Sequence, residues 1–76
     1  MAEVTVYTTS TCPWCVKLKS FLAEEGISFH EVNVGQDPEA ARQMVELTGQ
    51  RSVPVTTIGE QIIIGYNPNG IRELLG

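Results

Sequence analysis

The chain contains two cysteines, Cys12 and Cys15, separated only by Pro13 and Trp14. The pair stands where a short apolar stretch gives way to a helical pattern. Pro13 suits the first position of a helix, where its missing N–H would be unpaired in any case, so Cys12 is expected to cap the helix. A sulfur at that position faces free N–H groups and the positive end of the helix dipole, which favour thiolate over thiol. We therefore predict that Cys12 is the attacking nucleophile of a reactive dithiol.

Cys15 is predicted to have a different environment from Cys12. At about 100° per residue, Cys15 shares one stripe of the helix with Leu18 and Leu22, so it points into the core. One exposed, activated sulfur beside one shielded sulfur suits thiol–disulfide exchange, because the first forms a mixed disulfide and the second resolves it. A structural disulfide is less favoured, because a bridge that closes so short a loop constrains the unfolded chain little.

Two further side chains of this helix have open interpretations. Lys19 lies on nearly the same helical bearing as Cys12, and helical side chains lean toward the N-terminus, so Lys19 is a candidate to support the thiolate. The alternative is a lysine whose stem covers apolar surface while its ammonium is solvated. Trp14 is either a recognition contact beside the nucleophile or part of the apolar face of the helix, and we favour the contact.

The size and charge of the chain argue against several classes of protein. Seventy-six residues allow one small domain, 1–76, with a modest core. Nine acidic residues against five basic ones give a net charge of −4, which argues against nucleic acid or an anionic membrane as a partner. No stretch approaches the roughly 20 apolar residues of a membrane span, and the early Glu3 is unlike a signal peptide. We expect a cytoplasmic monomer whose partners are proteins or small thiols.

The predicted order of elements is strand, helix, strand, helix, two strands and helix, which is an α/β fold. The first helix makes a βαβ crossover, so the first two strands are predicted to be parallel. Gly59 and Glu60 suit a type II′ hairpin, and the apolar run that follows predicts a strand covered on both faces. The predicted strands are 3–7, 27–34, 54–58 and 61–64, and the predicted helices are 13–25, 38–48 and a segment from about 67 onward.

Apolar spacing also predicts which faces of the later helices are buried. The second helix has a start signal in Asp37 followed by Pro38, and Gly49 ends it. Its buried face is predicted to contain Ala41, Met44, Val45 and Thr48. The last helix is predicted to turn inward Ile71, Leu74 and Leu75.

Three motifs in this order resemble the glutaredoxins of the thioredoxin superfamily over nearly the whole chain. Segment 7–15 matches their strand, loop and C-P-aromatic-C motif, segment 52–54 matches their T-V-P segment, and 65–66 occupies the position of their late glycine motif. The resemblance implies the thioredoxin-like fold, in which a central mixed sheet of four strands is flanked by three helices. It also implies disulfide reduction in cell redox homeostasis, and a cis peptide bond between Val53 and Pro54 that leaves the Val53 backbone free to pair with a thiol or peptide.

The resemblance further implies which residues contact a substrate. The catalytic residues are Cys12 and Cys15, and Pro13 and Trp14 complete their motif. The residues that bind the thiol or substrate are Thr11, Arg51, Ser52, Val53, Pro54, Gly65, Tyr66 and Asn67. No bound cofactor or metal is implied, so the electrons come from an external thiol or an NADPH-dependent reductase.

The electron donor stays open because the chain departs from the family at charged positions. Many glutaredoxins hold glutathione with a lysine before the nucleophile and an acidic pair after the late glycines, but here these positions are Thr9 and 67–69. Segment 65–68, with Arg51, instead resembles small redoxins that donate electrons to ribonucleotide reductase and are recharged by thioredoxin reductase. Segment 8–10 resembles the mycoredoxins. The candidate partners are glutathione or another low-molecular-weight thiol, thioredoxin reductase, or both, with disulfide-containing proteins as substrates.

Other classes of function fit the sequence less well. A zinc site would use both cysteines and His30, but a closed site normally needs four protein ligands. Some glutaredoxins share an iron–sulfur cluster between subunits, and by resemblance Pro13 argues against one here. A cysteine hydrolase would need His30 as its base, whereas we expect a half-exposed strand residue. A binding adaptor with this fold is a further alternative, although such adaptors usually show a degraded dithiol.

Overall fold

The computed structural model describes residues 3–75 and confirms the predicted order of elements; residues 1, 2 and 76 of the predicted domain lie outside this range. The strands are β1 (Val4–Thr8), β2 (His30–Asn33), β3 (Val55–Ile58) and β4 (Gln61–Ile64). The helices are α1 (Pro13–Glu24), α2 (Pro38–Thr48) and α3 (Pro68–Leu75). The sheet order is β2-β1-β3-β4, with β1 and β2 parallel and the other neighbours antiparallel. This mixed sheet with three helices is the thioredoxin-like fold.

Strand β1 lies inside the sheet and leads the chain to the two cysteines. Tyr7 is paired with Val32 of β2 on one side and with Val55 of β3 on the other. Because β1 has hydrogen-bonded neighbours along both edges, its position is fixed. Cys12 therefore follows the carboxyl end of a fixed strand, where ligands of open α/β sheets usually bind.

The main hydrophobic core is formed by the sheet together with α1 and α3. Leu18 and Leu22 are fully buried, and Cys15 on the same stripe is only 1% exposed, so the predicted inward orientation of Cys15 is confirmed. Burying an aliphatic side chain of this size contributes about 1.5–3 kcal/mol relative to leaving it exposed. The buried residues of this cluster are Val4, Val6, Leu18, Phe21, Leu22, Ile58, Ile63 and Ile71.

Strand β4 is covered on one face only, so the prediction of a strand covered on both faces is wrong. Ile63 belongs to the core, whereas Ile62 and Ile64 are 39% and 49% exposed. The reason is that β4 lies at the edge of the sheet, where successive side chains point to opposite faces and only the core face is covered. A continuous apolar run does not by itself distinguish an inner strand from an edge strand.

This contrast within β4 can be tested by matched substitutions. Ile63→Ala is expected to lower the free energy of unfolding by about 2–5 kcal/mol, because it removes buried methyl groups and leaves a cavity in the core. Ile64→Ala, one residue away, is expected to cost much less because its side chain is already half in water. Urea unfolding followed by circular dichroism measures both values. Equal losses in the two variants would contradict this assignment of the core.

The hairpin between β3 and β4 has the predicted type II′ turn. Gly59 has a φ of 59°, and no residue other than glycine has a positive φ within the described range. Glu60 therefore has a negative φ, which distinguishes type II′ from type I′. The turn aligns Ile58 with Gln61 and so sets which residues of β3 and β4 face each other.

Strand β2 begins at His30, later than predicted, because the end of α1 holds the preceding residues. Gly26 is left-handed, with a φ of 71°, and the N–H of Ile27 donates to the carbonyl of Leu22 at 2.9 Å. This bond belongs to the Schellman arrangement that ends many helices. Since it fixes Ile27 against α1, Ile27 and Phe29 pack against the core from a loop instead of joining the sheet.

Helix α2 has the predicted ends but a slightly rotated buried face. Oδ1 of Asp37 accepts a hydrogen bond from the N–H of Ala40 at 3.2 Å, and Gly49 ends the helix with a φ of 75°. The buried residues are Ala40 and Met44. Apolar spacing could not decide which of two adjacent alanines faces inward. Of the predicted face, three residues are only half-buried: Ala41, Val45 and Thr48.

Helix α3 contributes a single side chain to the core. Ile71 is fully buried as predicted, but Leu74 and Leu75 are 41% and 38% exposed, so their predicted inward orientation is wrong. They belong to the last turn of the helix, which no element within residues 3–75 covers completely. In that same range, none of the helices combines the length and the apolar character needed to cross a membrane.

Candidate active site

Cys12 caps the start of α1, as the sequence predicts. Its φ and ψ of −99° and 106° are extended, and its Sγ accepts a hydrogen bond from the backbone N–H of Cys15 at 3.2 Å. In the described residues, the first turn of α1 contains no acidic side chain. A thiolate at Cys12 therefore meets an N–H donor and the positive end of a helix dipole, with no carboxylate in that turn to oppose it.

Cys15 is the shielded sulfur of the pair. Both cysteines are free, so the structure is that of the dithiol. The pKa of the Cys15 thiol is raised from 9.0 to about 11, first by burial and then by the hydrogen bond and charge of Cys12. The N–H of Thr9 and the positive charge of Lys19 lower that pKa. Cys15 is therefore a neutral thiol at pH 7, behind a half-buried Cys12.

The loop before β3 brings backbone atoms to the Cys12 sulfur. The Val53–Pro54 peptide bond is cis, as the resemblance implies. The Cys12 thiol donates to the carbonyl of Val53 with an Sγ···O distance of 3.9 Å. Pro54 is buried, and its carbonyl accepts a hydrogen bond from the N–H of Gly65 at 2.8 Å. The nucleophile thus faces backbone atoms of the loop before β3, and backbone groups that are not paired in a sheet can bind an extended peptide.

A groove of about 360 Å³ lies beside this backbone. The ring centroids of Trp14 and Tyr66 are 5.6 Å apart, and the two side chains are 52% and 40% exposed. Trp14 is therefore on the surface and not in the core, as the favoured interpretation requires. The lining residues are Trp14, Val53, Pro54, Gly65 and Tyr66, all of which are in the predicted site.

The other predicted binding residues do not line this groove. Thr11 and Ser52 are exposed residues directly before Cys12 and Val53. Asn67 caps the start of α3, where its Oδ1 accepts a hydrogen bond from a backbone N–H at 3.0 Å. Arg51 borders a separate cleft of about 450 Å³ along α2.

Lys19 has a partner that the sequence interpretation missed. Its Nζ donates to Oε2 of Glu31 at 2.8 Å, and the same oxygen accepts a hydrogen bond from the hydroxyl of Thr8 at 2.9 Å. The hydrogen bonds from Lys19 and Thr8 hold the pKa of Glu31 below its usual value. Thr8 is fully buried, whereas the other two side chains are about one-third exposed. Only the pairing of β2 with β1, which sets Glu31 opposite Val6, brings this carboxylate to α1.

His30 lies away from the cysteines. Its Nε2 is 2.8 Å from Oε1 of Glu3, and its side chain is 69% exposed. It is paired with Thr5 in the first half of β1, whereas the cysteines follow the other end of that strand. Across residues 3–75, no group of three or more His, Cys, Asp or Glu side chains is placed to hold a metal ion.

The chemistry of this site follows from the contrast between its two sulfurs. A partly exposed sulfur at a helix start and a buried one behind it can alternate between dithiol and disulfide, which defines the class of thiol–disulfide redoxins with the thioredoxin-like fold. The family model named Glutaredoxin matches residues 4–63. The chain belongs to the glutaredoxin family.

The similar proteins match this chain over most of their own length. An uncharacterized glutaredoxin-like 8.6 kDa protein in the rubredoxin operon of Clostridium pasteurianum is 40% identical over 72 residues, covering 95% of this chain and 96% of that protein. A glutaredoxin of Neisseria meningitidis is 42% identical over 67 residues, covering 87% and 79%. The solved NrdH-redoxin of Escherichia coli has a TM-score of 0.85 at 32% identity, covering 95% and 93%. Its likeness therefore extends over most of both chains.

Proposed function

We propose that this redoxin reduces protein disulfides and mixed disulfides in cell redox homeostasis, with Cys12 as the nucleophile and Cys15 as the resolving thiol. One observation carries the proposal. The Cys12 sulfur lies between the start of α1 and the Val53–Pro54 backbone, with Cys15 buried behind it. A binding adaptor has no need of a half-buried sulfur paired with a buried one.

The proposed reaction balances without a bound cofactor. The Cys12 thiolate attacks one sulfur of the substrate disulfide, and the other substrate sulfur leaves with the electron pair and takes up a proton. Cys15 then loses its proton and attacks the Cys12 sulfur, which releases the second substrate thiol and leaves a Cys12–Cys15 disulfide. Two electrons have passed from the protein to the substrate. An external thiol or an NADPH-dependent reductase supplies the two electrons that restore the dithiol.

The groove is the proposed place for the substrate chain on either side of its disulfide. In this arrangement an extended segment pairs with the backbone of Val53 while its neighbouring side chains contact Trp14 and Tyr66. Gly65 adds no side chain that would narrow the groove. Longer substrates would contact Thr11, Ser52 and Asn67, which are neighbours in sequence of groove or active-site residues, and would extend to Arg51 at the separate cleft along α2.

The electron source distinguishes two forms of this function. Neither Thr9 nor Asn67 offers the charge with which many glutaredoxins hold glutathione, and Asn67 uses its side chain to cap α3. The similar NrdH-redoxin of Escherichia coli is described as a glutaredoxin-like protein with a thioredoxin-like activity profile. These observations favour a second candidate function, which is electron donation to ribonucleotide reductase with recharging by thioredoxin reductase.

A coupled assay compares the two sources. The oxidised protein is mixed with NADPH and thioredoxin reductase in one cuvette, and with NADPH, glutathione and glutathione reductase in another, and the loss of NADPH absorbance is followed. We expect faster turnover with thioredoxin reductase, because the charges that hold glutathione are absent at Thr9 and Asn67. Faster turnover with glutathione would contradict the second candidate function. Turnover with neither would point to another small thiol or to the adaptor alternative.

The same reasoning supports a compartment and a working state. A lone dithiol that must be reduced after each cycle suits the reducing cytoplasm, which is where we propose that the protein acts. The two sulfurs and the groove lie next to each other within a single chain, so one copy is sufficient for the proposed chemistry. We therefore propose a monomer as the active form.

A further inference from the structure

The network of Thr8, Glu31 and Lys19 includes a residue on the same face of α1 as the buried Cys15. Cys15 and Lys19 are four positions apart on α1, and side chains at this spacing are neighbours on one helix face. From β2, the Glu31 carboxylate binds the Lys19 ammonium, and from β1, the buried Thr8 hydroxyl binds the same carboxylate oxygen. Glu31 therefore sets the position of the ammonium, and Thr8 helps to set the position of Glu31.

The second half of the reaction requires Cys15 to ionise in a buried position. In the dithiol, burial and Cys12 both raise the pKa of Cys15. Once Cys12 is bonded to a substrate, its sulfur carries no negative charge, and only burial still opposes ionisation. The N–H of Thr9 and the charge of Lys19 still favour the Cys15 thiolate. Within the described residues, the charged or titratable groups that act on Cys15 are Cys12 and Lys19. Glu31 influences Cys15 indirectly, through its hydrogen bond with Lys19.

We propose that Glu31 is a positioning residue for this second step: it holds the Lys19 ammonium beside Cys15, where the ammonium stabilises the thiolate that attacks the mixed disulfide. The inference rests on the proposed function, because it concerns only the resolving half of that reaction. Cys15 gives its proton to solvent, its sulfur forms the Cys12–Cys15 bond, and the bond from Cys12 to the substrate breaks. The substrate sulfur leaves with the electron pair and is protonated. Lys19 contributes charge, and neither a proton nor electrons.

The direction in which Glu31→Gln changes the rate of resolution distinguishes two roles of Glu31. One role is to position Lys19, and the other is a direct effect of the Glu31 negative charge on Cys15. If Glu31 acted mainly through its own negative charge, Glu31→Gln would favour the Cys15 thiolate and accelerate resolution. If Glu31 positions Lys19, the same substitution releases the ammonium toward solvent and slows resolution. The two roles therefore predict opposite changes in one rate constant.

A single-turnover reaction with dithiobis(nitrobenzoate) reports both steps in one absorbance trace. Attack by Cys12 releases the first coloured thionitrobenzoate, and resolution by Cys15 releases the second. Lys19→Met is expected to leave the first phase unchanged and to slow the second by up to about threefold at pH 7, because removing the ammonium raises the pKa of Cys15. Each unit of such an increase lowers the thiolate fraction tenfold, of which about threefold returns as higher nucleophilicity.

Two further variants test the geometry of the network. Glu31→Gln is expected to slow the second phase in the same direction as Lys19→Met. Lys19→Arg keeps a positive charge that can still bind Glu31, so the rate of its second phase is expected to equal that of the wild type. The pH dependence of the second phase is expected to move to higher pH in Lys19→Met and Glu31→Gln, and to stay unchanged in Lys19→Arg.

The ion pair of Arg72 and Glu25 provides matched controls. Its Nε to Oε1 distance of 2.9 Å resembles that of Lys19 and Glu31, but it joins α3 to the residue that follows the end of α1. Arg72→Met and Glu25→Gln are expected to leave both phases unchanged. Circular dichroism shows whether each variant is folded, and if Lys19→Met does not fold, Glu31→Gln carries the test.

Three results would overturn the inference. The first is an unchanged second phase in both Lys19→Met and Glu31→Gln, and the second is a faster second phase in Glu31→Gln. The third is a slower first phase in Lys19→Met, which would assign the charge of Lys19 to Cys12. Failure of the proposed function is a separate result, because the wild-type protein would then release only one thionitrobenzoate or none.

Discussion

The variant Cys12→Ser is expected to reduce no disulfides, although it keeps Cys15. A serine hydroxyl is not ionised near neutral pH, so it cannot replace the thiolate as the attacking group. Cys15 cannot take over the attack because it is buried, and burial raises the pKa of its thiol. The rate of insulin reduction, measured in the presence of an external dithiol, is expected to fall to the rate without protein.

The fold of Cys12→Ser is expected to survive, which makes the loss of activity interpretable. Serine is among the preferred residues at the start of a helix, so the cap on α1 is kept. The urea unfolding transition of the variant should therefore lie close to that of the wild type. If the folded variant still reduced insulin, Cys12 would not be the nucleophile and the proposed mechanism would be wrong.

The variant Cys15→Ser is expected to trap substrates as mixed disulfides. Cys12 keeps its place at the start of α1 and can still attack, but no second thiol lies behind it to release the product. A covalent complex with an oxidised protein substrate should accumulate on nonreducing gels and disappear on reduction. Turnover of protein disulfides is expected to fall to the background rate. Removal of glutathione from mixed disulfides could persist, because free glutathione can resolve the complex in place of Cys15.

Two controls accompany this second variant. Cys15→Ala repeats the test without placing a hydroxyl in the core, where an unpaired polar group costs about 1–3 kcal/mol. Cys12→Ser should trap nothing under the same conditions. Normal turnover of protein disulfides by both Cys15 variants, with no trapped complex, would show that a single thiol is sufficient and would remove the resolving role.

The reactive half of the site could be predicted from the sequence because its causes are local. The preference of Pro13 for the first helical position placed Cys12 at the helix start, and the spacing of Cys15 to Leu18 placed the second sulfur inward. The cis bond before Pro54 had no such local cause. It was expected only from the family resemblance, because most peptide bonds before proline are trans.

Features that depend on which elements lie side by side could not be predicted in this way. The exposure of Ile62 and Ile64 follows from the edge position of β4, and sequence spacing does not specify edge positions. The contact of Lys19 with Glu31 depends on the pairing of β2 with β1. The ring contact of Trp14 with Tyr66 likewise joins the first helix to the segment after the last strand. Both contacts join residues of different elements, and they are fixed by the tertiary structure.

The sheet order has a consequence for how the protein matures on the ribosome. Strand β1 emerges early with both cysteines, but its neighbour β3 and the Val53 carbonyl follow much later, and the Cys12 to Val53 contact spans 41 positions. Such a contact closes a long loop, which costs chain entropy, and it cannot form before residue 53 has been synthesised. A nascent chain therefore carries both thiols before it has the backbone that faces them. The groove beside Cys12 therefore becomes complete only after the second half of the chain has been synthesised.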